Sequence, residues 1–424
     1  MNVSLTNQLT LSFRPCADTP NSGPPSPHQG DAHMKKSTLI GATPIALTLL
    51  LASQSALAVD WTGYFRAGPG LTSGNANRAC YGLGGGSKGM TYRLGNECDF
   101  YGEFQLSQGF QKDGIEYRAT LMTNYYKGAT DNDGAGMAIE QMFAEAKGFD
   151  VAPEATFWIG KERGRRGDVH IVDTQFIEAL GVGAGMKGLK AGSGQFGMAF
   201  YKTDKDVTKP GNRLNFEYVN LPVNEGGKLN FFAAATKGDF DGGTSGATVS
   251  LRHDQDNIFG TGLSNTFWLQ YAQGSASLNA NFGDLSAGSA AKSWRLVETA
   301  TWQKGPFGGQ VIALVASEKD GAGLKTDSAT LGGRVSYAFT RNFKFLTELG
   351  VSQYKPEGGE TARLTKLTLA PTLSVGQDFF SRPEFRLYAT FANWNKAAGN
   401  VTGKTAFDGK TSGTSYGAQV EWWF

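Results

Sequence analysis

Three short segments of the chain each place an aromatic residue and a charged residue two positions apart. The pairs are Tyr64 with Arg66, Tyr101 with Glu103, and Trp423 with Glu421. Residues two apart on a β-strand share a face, so each pair predicts an aromatic ring beside a charged group. Such a surface suits a sugar, because the C–H face of a sugar ring stacks on an aromatic ring while its hydroxyls hydrogen-bond to charged groups.

The sequence predicts no catalytic centre and no metal site. Gly183–Gly188 matches GxGxxG and Gly85–Gly89 matches GxSxG, but both motifs require a strand-to-helix turn in an α/β unit. With 58 glycines in the chain, chance matches of this kind are expected. After residue 58 the only histidines are His170 and His253, and no His/Cys cluster has metal-ligand spacing. We therefore expect no enzyme activity, no metal and no cofactor.

The last nine residues show the pattern of a strand with one apolar face. Tyr416, Ala418, Val420, Trp422 and Phe424 alternate with a more polar set that includes Glu421 and Trp423. The same alternation recurs in residues 61–67, 99–107 and 384–391, and clusters of Gly, Asn, Asp, Ser and Lys separate such runs. A chain that stops on an aromatic within such a strand resembles bacterial outer-membrane β-barrel proteins. In that setting the apolar face meets lipid and the polar face meets a lumen.

The length and hydropathy of the chain predict an all-β fold, a transmembrane antiparallel β-barrel of about 18 strands. No segment after residue 58 approaches the roughly 20 apolar residues of a membrane helix, so a membrane protein of this kind must be a closed barrel. The 366 residues from Val59 onward allow about 18 strands at roughly 20 residues each, enough for an aqueous channel. A soluble all-β sandwich is the alternative, but it predicts neither the terminal Phe424 nor so polar a second strand face.

The beginning of the chain resembles an export signal preceded by an unrelated extension. Met34–Lys36 is basic, residues 39–52 are mostly apolar, and Ala56–Ala58 supplies small residues for cleavage before Val59. Residues 34–58 are therefore predicted to be a signal peptide. Residues 1–33 resemble neither signal nor fold, and we interpret them as an upstream extension from a mis-assigned start codon. No Pro- or Ser-rich linker divides residues 59–424, which we expect to form one domain.

Charge and cysteine content fit an exported protein that does not bind nucleic acid. Residues 59–424 contain 37 basic and 36 acidic side chains, so they lack the concentrated positive charge of a nucleic-acid-binding surface. Cys80 and Cys98 form an even pair beyond the leader, and we expect one disulfide across the first long loop. Two free thiols are the alternative.

Several motifs together make the chain similar to the maltoporin family. The motifs are Val59–Arg66, Tyr92–Cys98 followed by Tyr101 and Glu103, Trp158–Lys161, Asp168–His170 with Asp173, Ser381–Pro383, and Gly417–Trp422. The resemblance runs from end to end of residues 59–424, but it is weak through about 190–260 and 275–370.

The resemblance implies a homotrimer of 18-stranded barrels that passes maltose and maltodextrins through the Gram-negative outer membrane, in contact with its lipid. Sugars move in that family along a spiral of aromatics, the aromatic slide, flanked by charged residues, the ionic track. The slide residues carried over are Tyr64, Tyr101, Phe380 and Trp423. The matching track residues are Arg66, Arg93, Glu103, Arg166 and Asp173. Alternation independently predicts that Tyr64, Tyr101 and Trp423 point inward, and Phe380 shares its predicted face with Arg382 and Glu384.

Several positions depart from the family pattern. A slide aromatic maps to Ser264, and Trp268, on the same face by period two, is the expected replacement. A track arginine maps to Ala144 and the constriction tyrosine to Gln175, while the loop tryptophan of a neighbouring subunit has no counterpart in Thr130–Ala138. These changes predict a wider or differently shaped constriction with relaxed selectivity, as in the related sucrose porins. A general diffusion porin is the other alternative, and the inward aromatics argue against it.

Overall fold

Antiparallel β-strands account for most of the described chain. The structure is a computed structural model that describes residues 59–73, 78–83, 90–128, 134, 136–399 and 409–424. The predicted extension 1–33 and signal peptide 34–58 lie outside these residues, as does most of the loop that was expected to lack a tryptophan. Among the described residues, no helix is long and apolar enough to cross a membrane.

Nineteen strands are present in the described ranges, together with a short 3₁₀ turn at Ile258–Gly260. The strands are β1 (Asp60–Ala67), β2 (Gly70–Thr72), β3 (Phe100–Lys112), β4 (Ile115–Lys127), β5 (Gly136–Lys147), β6 (Thr156–Val169), β7 (Thr174–Ala191), β8 (Gly194–Thr203), β9 (Gly211–Asn224), β10 (Gly227–Gly238), β11 (Ser245–Gln255), β12 (Leu263–Gly274), β13 (Lys292–Lys304), β14 (Phe307–Lys319), β15 (Lys325–Ala338), β16 (Phe343–Pro356), β17 (Ala362–Ser374), β18 (Glu384–Trp394) and β19 (Ser412–Trp423).

The strands form one sheet that closes on itself as an 18-strand barrel. β1 pairs with β3 on one side and with β19 on the other, so the first and last strands are neighbours. β2 continues the line of β1 along β19, since Ala67 is opposite Val420 and Gly70 is opposite Gly417. Pro69, which has no N–H to donate, interrupts this first strand. The predicted architecture of about 18 strands is confirmed, and the two packed sheets of a sandwich are excluded.

The terminal phenylalanine lies at the seam where the barrel closes. The Gly63 N–H donates to the carbonyl of Phe424 (3.0 Å), and the Phe424 N–H donates to the carbonyl of Gly63 (3.1 Å). A Cβ at position 63 would lie 2.8 Å from the Phe424 ring, so glycine gives that ring space beside Trp61, 4.8 Å away between centroids. The C-terminal aromatic therefore covers the outside of the seam.

The two faces of the wall have opposite polarity. On β18, Phe385 and Leu387 are exposed on the outside, whereas Glu384, Arg386 and Thr390 are buried on the inside. Similar exposed apolar side chains appear around the barrel, including Leu106, Ile159, Val249, Leu331 and Leu349. This apolar outer belt has the character of a surface that contacts membrane hydrocarbon. The alternation predicted for β18 and β19 is confirmed.

The end of the β6–β7 hairpin folds into the barrel. We call residues 163–178 the inner hairpin. Near its tip, the Ile171 N–H donates to the side chain of Gln310 on β14 (3.2 Å). Farther along, the Phe176 carbonyl accepts hydrogen bonds from Gln270 (2.7 Å) and Arg295 (3.2 Å) on β12 and β13. The hairpin thus reaches from its own strands to the opposite wall and narrows the lumen.

A second inward segment comes from the loop between β2 and β3. The Leu94 N–H donates to Glu348 on β16 (2.9 Å), and Lys366 on β17 donates to the Leu94 carbonyl (2.8 Å). The predicted disulfide joins Cys80 to Cys98 with a Cα–Cα distance of 5.9 Å. This segment meets the inner hairpin where the Arg93 N–H donates to the Ile171 carbonyl (3.0 Å).

Candidate functional site

An aromatic row begins at the barrel seam. Tyr64 on β1 and Trp423 on β19 are directly opposite each other in the ladder. The ring of Tyr101, on β3, lies 6.1 Å from that of Tyr64 between centroids. All three residues occupy inward positions, as strand alternation predicted.

Phe380 extends this row through a histidine. The His170 ring lies 5.5 Å from Trp423 and 5.7 Å from Phe380, and both contacts are edge-on. Phe380 is 42% exposed, whereas its neighbour Phe379 is buried. The reasoning by strand period was wrong here, because Phe380 lies in the turn before β18. That turn, rather than pleating, orients the ring.

Each of the three seam aromatics lies beside a guanidinium group. Arg66 is 5.1 Å from the Tyr101 ring centroid and Arg93 is 5.7 Å from that of Tyr64. Arg382 lies 4.2 Å from the Trp423 ring centroid. Cation–π attraction at these distances holds ring and cation together and fixes the aromatic faces.

Arg66 connects three segments of the chain. Its guanidinium contacts Asp99 (2.7 Å) and Glu97 (2.9 Å) from the first loop. It also contacts Asp173 (3.0 Å) at the tip of the inner hairpin. The structure therefore brings together Arg66 and Asp173, two residues that sequence analysis assigned to the track.

Arg93 and Arg382 share a carboxylate of the last strand. Arg93 contacts Glu97 (2.6 Å) and Glu421 (3.0 Å), and Arg382 contacts Glu421 (2.9 Å) and Glu384 (3.0 Å). All these side chains are buried, and a buried charge is tolerated when it is paired and hydrogen-bonded. Arg386 also contacts both Glu384 and Glu421, so these carboxylates keep a cationic partner when one arginine is removed.

Glu103 forms an ion pair with Arg163, an arginine that the sequence analysis did not assign to the track. Arg163 on β6 contacts Glu103 (2.8 Å) and also Glu140 (3.0 Å). The Tyr101 hydroxyl donates a further hydrogen bond to Glu103. The charge-rich run Glu162–Arg166 was the available sequence signal, but alternation is irregular there because the β6–β7 register shifts twice.

Ala144, to which a track arginine of the family was mapped, does not face the lumen. It pairs with Ala119 on β4 and with Ile159 on β6, and the Ile159 side chain is 67% exposed on the outer face. Because directly opposite residues share a face, Ala144 also points outward. The position to which the family's track arginine was mapped is therefore not lumenal, and Arg163 supplies the guanidinium beside Glu103.

Two further track assignments fall on the inner hairpin. The backbone of Arg166 pairs with Glu178, but its side chain lies outside the described part of the structure. Gln175 is opposite Asp168 near the hairpin tip and is partly buried. Both positions thus belong to the element that narrows the lumen.

Trp268 does not join the aromatic row. It points inward from β12, as predicted, but only 2% of it is exposed. Its ring lies 6.0 Å from Phe176 and 4.8 Å from the Arg252 guanidinium, and a Cβ at Gly167 would lie 2.3 Å from it. The inner hairpin covers this ring, so its expected role as a replacement for a slide aromatic is corrected to a packing role.

His170 is the central residue that sequence reasoning missed. Its Nε2 lies 3.0 Å from a nitrogen of Arg382 and 3.3 Å from one of Arg334, and its Nδ1 lies 3.3 Å from Arg93. Burial and these three guanidinium groups hold the pKa of His170 well below its ordinary value, against the opposing effect of Glu421. The ring is therefore neutral at pH 7, when one of its two nitrogens can accept a hydrogen bond and the other carries a proton. Its position in a family-like motif was the only sequence signal.

The arrangement combines aromatic rings with the ion pairs described above. Among the described residues, no group of three or more His, Cys, Asp or Glu side chains could hold a metal ion. A row of rings bordered by hydrogen-bonding groups can bind a polyhydroxylated molecule weakly and without reaction.

Fold and site together define a channel-forming β-barrel of the Gram-negative outer membrane. Residues 59–424 match the LamB porin family, and the chain belongs to that family. The family consists of porins, which are channels and not enzymes. The resemblance to maltoporins that the motifs indicated is thus confirmed.

One curated relative and several solved structures give the scale of the similarity. The chain is 29% identical over 410 residues to a maltoporin from Hahella chejuensis (strain KCTC 2396), covering 90% of this chain and 96% of the relative. Acinetobacter baumannii OccAB1 is similar with a TM-score of 0.48 at 10% identity, covering 86% of this chain and 97% of that chain. Pseudomonas aeruginosa OccD3 (OpdP) gives 0.47 at 8% identity, with coverages of 87% and 91%. The architecture rests on the strand pairings and not on these low scores.

Proposed function

We propose that this protein is a sugar porin that conducts maltose and maltodextrins, or related oligosaccharides, by facilitated diffusion. The observation that carries the proposal is the row Tyr101, Tyr64, Trp423 and Phe380, bordered by arginines that are themselves paired with carboxylates. A lumen that only conducted ions would have no use for a continuous row of rings.

The track would act by exchanging hydrogen bonds with sugar hydroxyls as the sugar rings move along the slide. Arg66, Arg93, Glu103 and Asp173 lie beside the rings and already have charged partners. A hydroxyl must therefore compete with these partners, so each contact is weak. Weak, repeated sites favour both entry and release, as conduction requires. We propose that Arg166 and Gln175 face the same path from the inner hairpin.

The same proposal covers the contact of the barrel with lipid, its assembly and its export. The apolar outer belt would contact outer-membrane lipid, and three copies would assemble as the family resemblance implies. Residues 34–58 would direct export and be removed before Val59. No cofactor takes part, because transport along the slide makes and breaks no covalent bond.

Relaxed selectivity is supported by two positions. Gln175 stands where the family has a constriction tyrosine, and Ser264 has no aromatic substitute because Trp268 is covered. A shorter row and an altered constriction would place less demand on the shape of the sugar. A sucrose-type porin is therefore the second candidate.

Single-channel conductance in planar bilayers tests the proposal. The current would be titrated with glucose, maltose, maltotriose and sucrose. We expect sugar block whose affinity rises from glucose to maltotriose, since a longer sugar covers more rings. Equal affinities for glucose and maltotriose would contradict a continuous slide and favour a general diffusion porin. Stronger block by sucrose than by maltose would favour the second candidate.

A further inference from the structure

A cavity of about 320 Å³ lies between the inner hairpin and the barrel wall, apart from the aromatic row. We call it the side chamber. Its wall includes segments 197–199 of β8 and 215–217 of β9, and its other side includes Arg163, Ile177 and Ala179. The volume is near the lower end of the range for small-molecule sites, which corresponds to a ligand of monosaccharide size.

Small inward residues make room for the side chamber. One line of directly opposite residues runs from Trp158 to Gly185, then to Ala199 and Asn215. Because opposite residues share a face, this whole line points inward with buried Trp158. Gly185 and Ala199 leave the middle of the line nearly free of side chains. From the glycine-rich segment that matched a dinucleotide motif, Met186 and Lys187 line this space.

Asn215 gives the chamber an unused hydrogen-bond acceptor. Its side-chain nitrogen donates to the Ala280 carbonyl (3.0 Å), which fixes the amide. Its Oδ1 accepts no hydrogen bond from any group in the described residues, although only 9% of the residue is exposed. This oxygen is covered by neighbouring atoms in this structure, so a ligand must displace them to reach it. Because a buried acceptor without a donor is destabilising, a ligand hydroxyl that donates to it would remove that destabilisation.

The charged side chains of the chamber are already neutralised in pairs. Lys187 contacts Glu162 and also Glu145 (3.2 Å). Arg165 contacts Glu217 (3.1 Å). A charged ligand would have to break one of these pairs. A neutral molecule with several hydroxyls can instead hydrogen-bond to their outer oxygens and nitrogens, as sugars do.

Arg163 connects the chamber with the track. It lines the chamber and at the same time contacts Glu103, which accepts a hydrogen bond from Tyr101 of the aromatic row. A molecule in the chamber would therefore lie one side chain away from a sugar on the slide.

We propose that the side chamber is a second binding site, for a neutral, polyhydroxylated molecule of monosaccharide size. The proposal rests on the proposed sugar transport, since that supplies such molecules to the lumen. Asn215 accepts a hydroxyl of the ligand, and the paired charges bind others. Arg163 makes occupancy of the chamber affect the track at Glu103.

Anomalous diffraction from crystals soaked in a methyl seleno-glucoside would locate the sugar. The variants are Ala199→Leu, which fills the chamber, and Trp423→Ala, which shortens the aromatic row. Ala184→Leu is the matched control, because Ala184 is opposite Ile159 and Phe200 on the outer face. We expect one selenium peak in the row and one in the side chamber beside Asn215. Ala199→Leu should remove only the chamber peak, Trp423→Ala should weaken only the row peak, and Ala184→Leu should keep both.

The outcomes separate the two proposals. A row peak without a chamber peak in the unmodified protein overturns the second site and leaves the slide intact. A chamber peak without a row peak supports the second site and contradicts the slide. Fluorine NMR of 2-fluoro-glucose in detergent solution should show a smaller bound signal in Ala199→Leu than in the unmodified protein, and no decrease in Ala184→Leu. An unchanged signal would mean binding at crystal concentration only and would overturn the site. If Ala199→Leu does not fold, Asn215→Leu replaces it in both measurements.

Discussion

Tyr64 and Trp423 face each other across the β1–β19 ladder, although they stand near opposite ends of the folded chain. The aromatic row therefore exists only when the barrel has closed. The backbone bonds between Gly63 and Phe424 that complete the seam lie one residue farther along the same ladder. The proposed sugar path thus depends on the pairing of the first strand with the last.

Removing one seam aromatic should weaken sugar binding without closing the channel. Aromatic stacking contributes roughly 0.5–1.5 kcal/mol, which corresponds to about threefold to tenfold in affinity. We expect Trp423→Ala and Tyr101→Ala each to weaken maltotriose block by this factor, with small-ion conductance equal or higher. The measurement is sugar titration of single-channel current.

Trp422→Ala provides the control within the same dipeptide. Trp422 is exposed on the outer face, where its ring lies 5.6 Å from Phe65. Its removal should leave maltotriose affinity unchanged. Equal losses in the two tryptophan variants would show that the effect comes from a damaged seam and not from the row.

Arg163 should control ion selectivity through the carboxylates that it neutralises. Arg163→Gln leaves Glu103 and Glu140 without their cation, so the lumen becomes more negative. We expect the reversal potential in a KCl gradient to shift toward cation selectivity and sugar block to weaken. Arg118→Gln removes an exposed pair with Asp60 (3.1 Å) and should cause a smaller shift, because exposed charges are well screened. Equal shifts would contradict a track role for Arg163.

His170 should make the barrel less stable in acid. Its pKa in the folded protein is lowered by burial and by nearby arginines, so below the ordinary histidine pKa of about 6.5 the unfolded chain binds the proton more readily. The stabilising contribution is complete above that pH and is lost as the pH falls, by up to about 1.4 kcal/mol per pH unit. The free energy of unfolding in urea, measured at several pH values, should decline less steeply for His170→Asn. An identical decline in both proteins would contradict the assignment.

Trp268 should affect stability and not transport. Because its ring is buried under the inner hairpin, Trp268→Ala should lower the free energy of unfolding by about 3–5 kcal/mol. Trp268→Phe keeps most of the packing and should leave maltotriose affinity unchanged in bilayer titrations. A loss of affinity in the phenylalanine variant, with normal stability, would restore Trp268 to the slide.

Intact-mass analysis of outer-membrane material checks processing and the disulfide together. We expect a chain that starts at Val59, lacks the two hydrogens lost on oxidation, and resists alkylation until it is reduced. Replacing Cys80 and Cys98 with serine should lower the free energy of unfolding by about 3 kcal/mol, as estimated for a loop of this length. Free thiols at both positions would contradict the cross-link.

The sequence alone determined the wall of this protein. Period-two alternation is a local property, so it correctly assigned the inner and outer faces of β18 and β19 and the inward direction of Tyr64, Tyr101 and Trp423. The aromatic ending of the last strand and the lack of a long apolar segment in the sequence after residue 58 indicated a closed barrel, because lipid leaves no other arrangement for strands.

Only the tertiary structure decided what occupies the lumen. Phe380 and His170 lie in turns, where no period applies, and the shifted register of β6 and β7 hid the inward direction of Arg163. Trp268 lies on the predicted inner face, but it is covered by a hairpin that comes from a distant part of the chain. The face of the wall on which a side chain lies is set by the pleat of its own strand. The exposure and ion pairing of that side chain depend on which distant segments fold back against the strand.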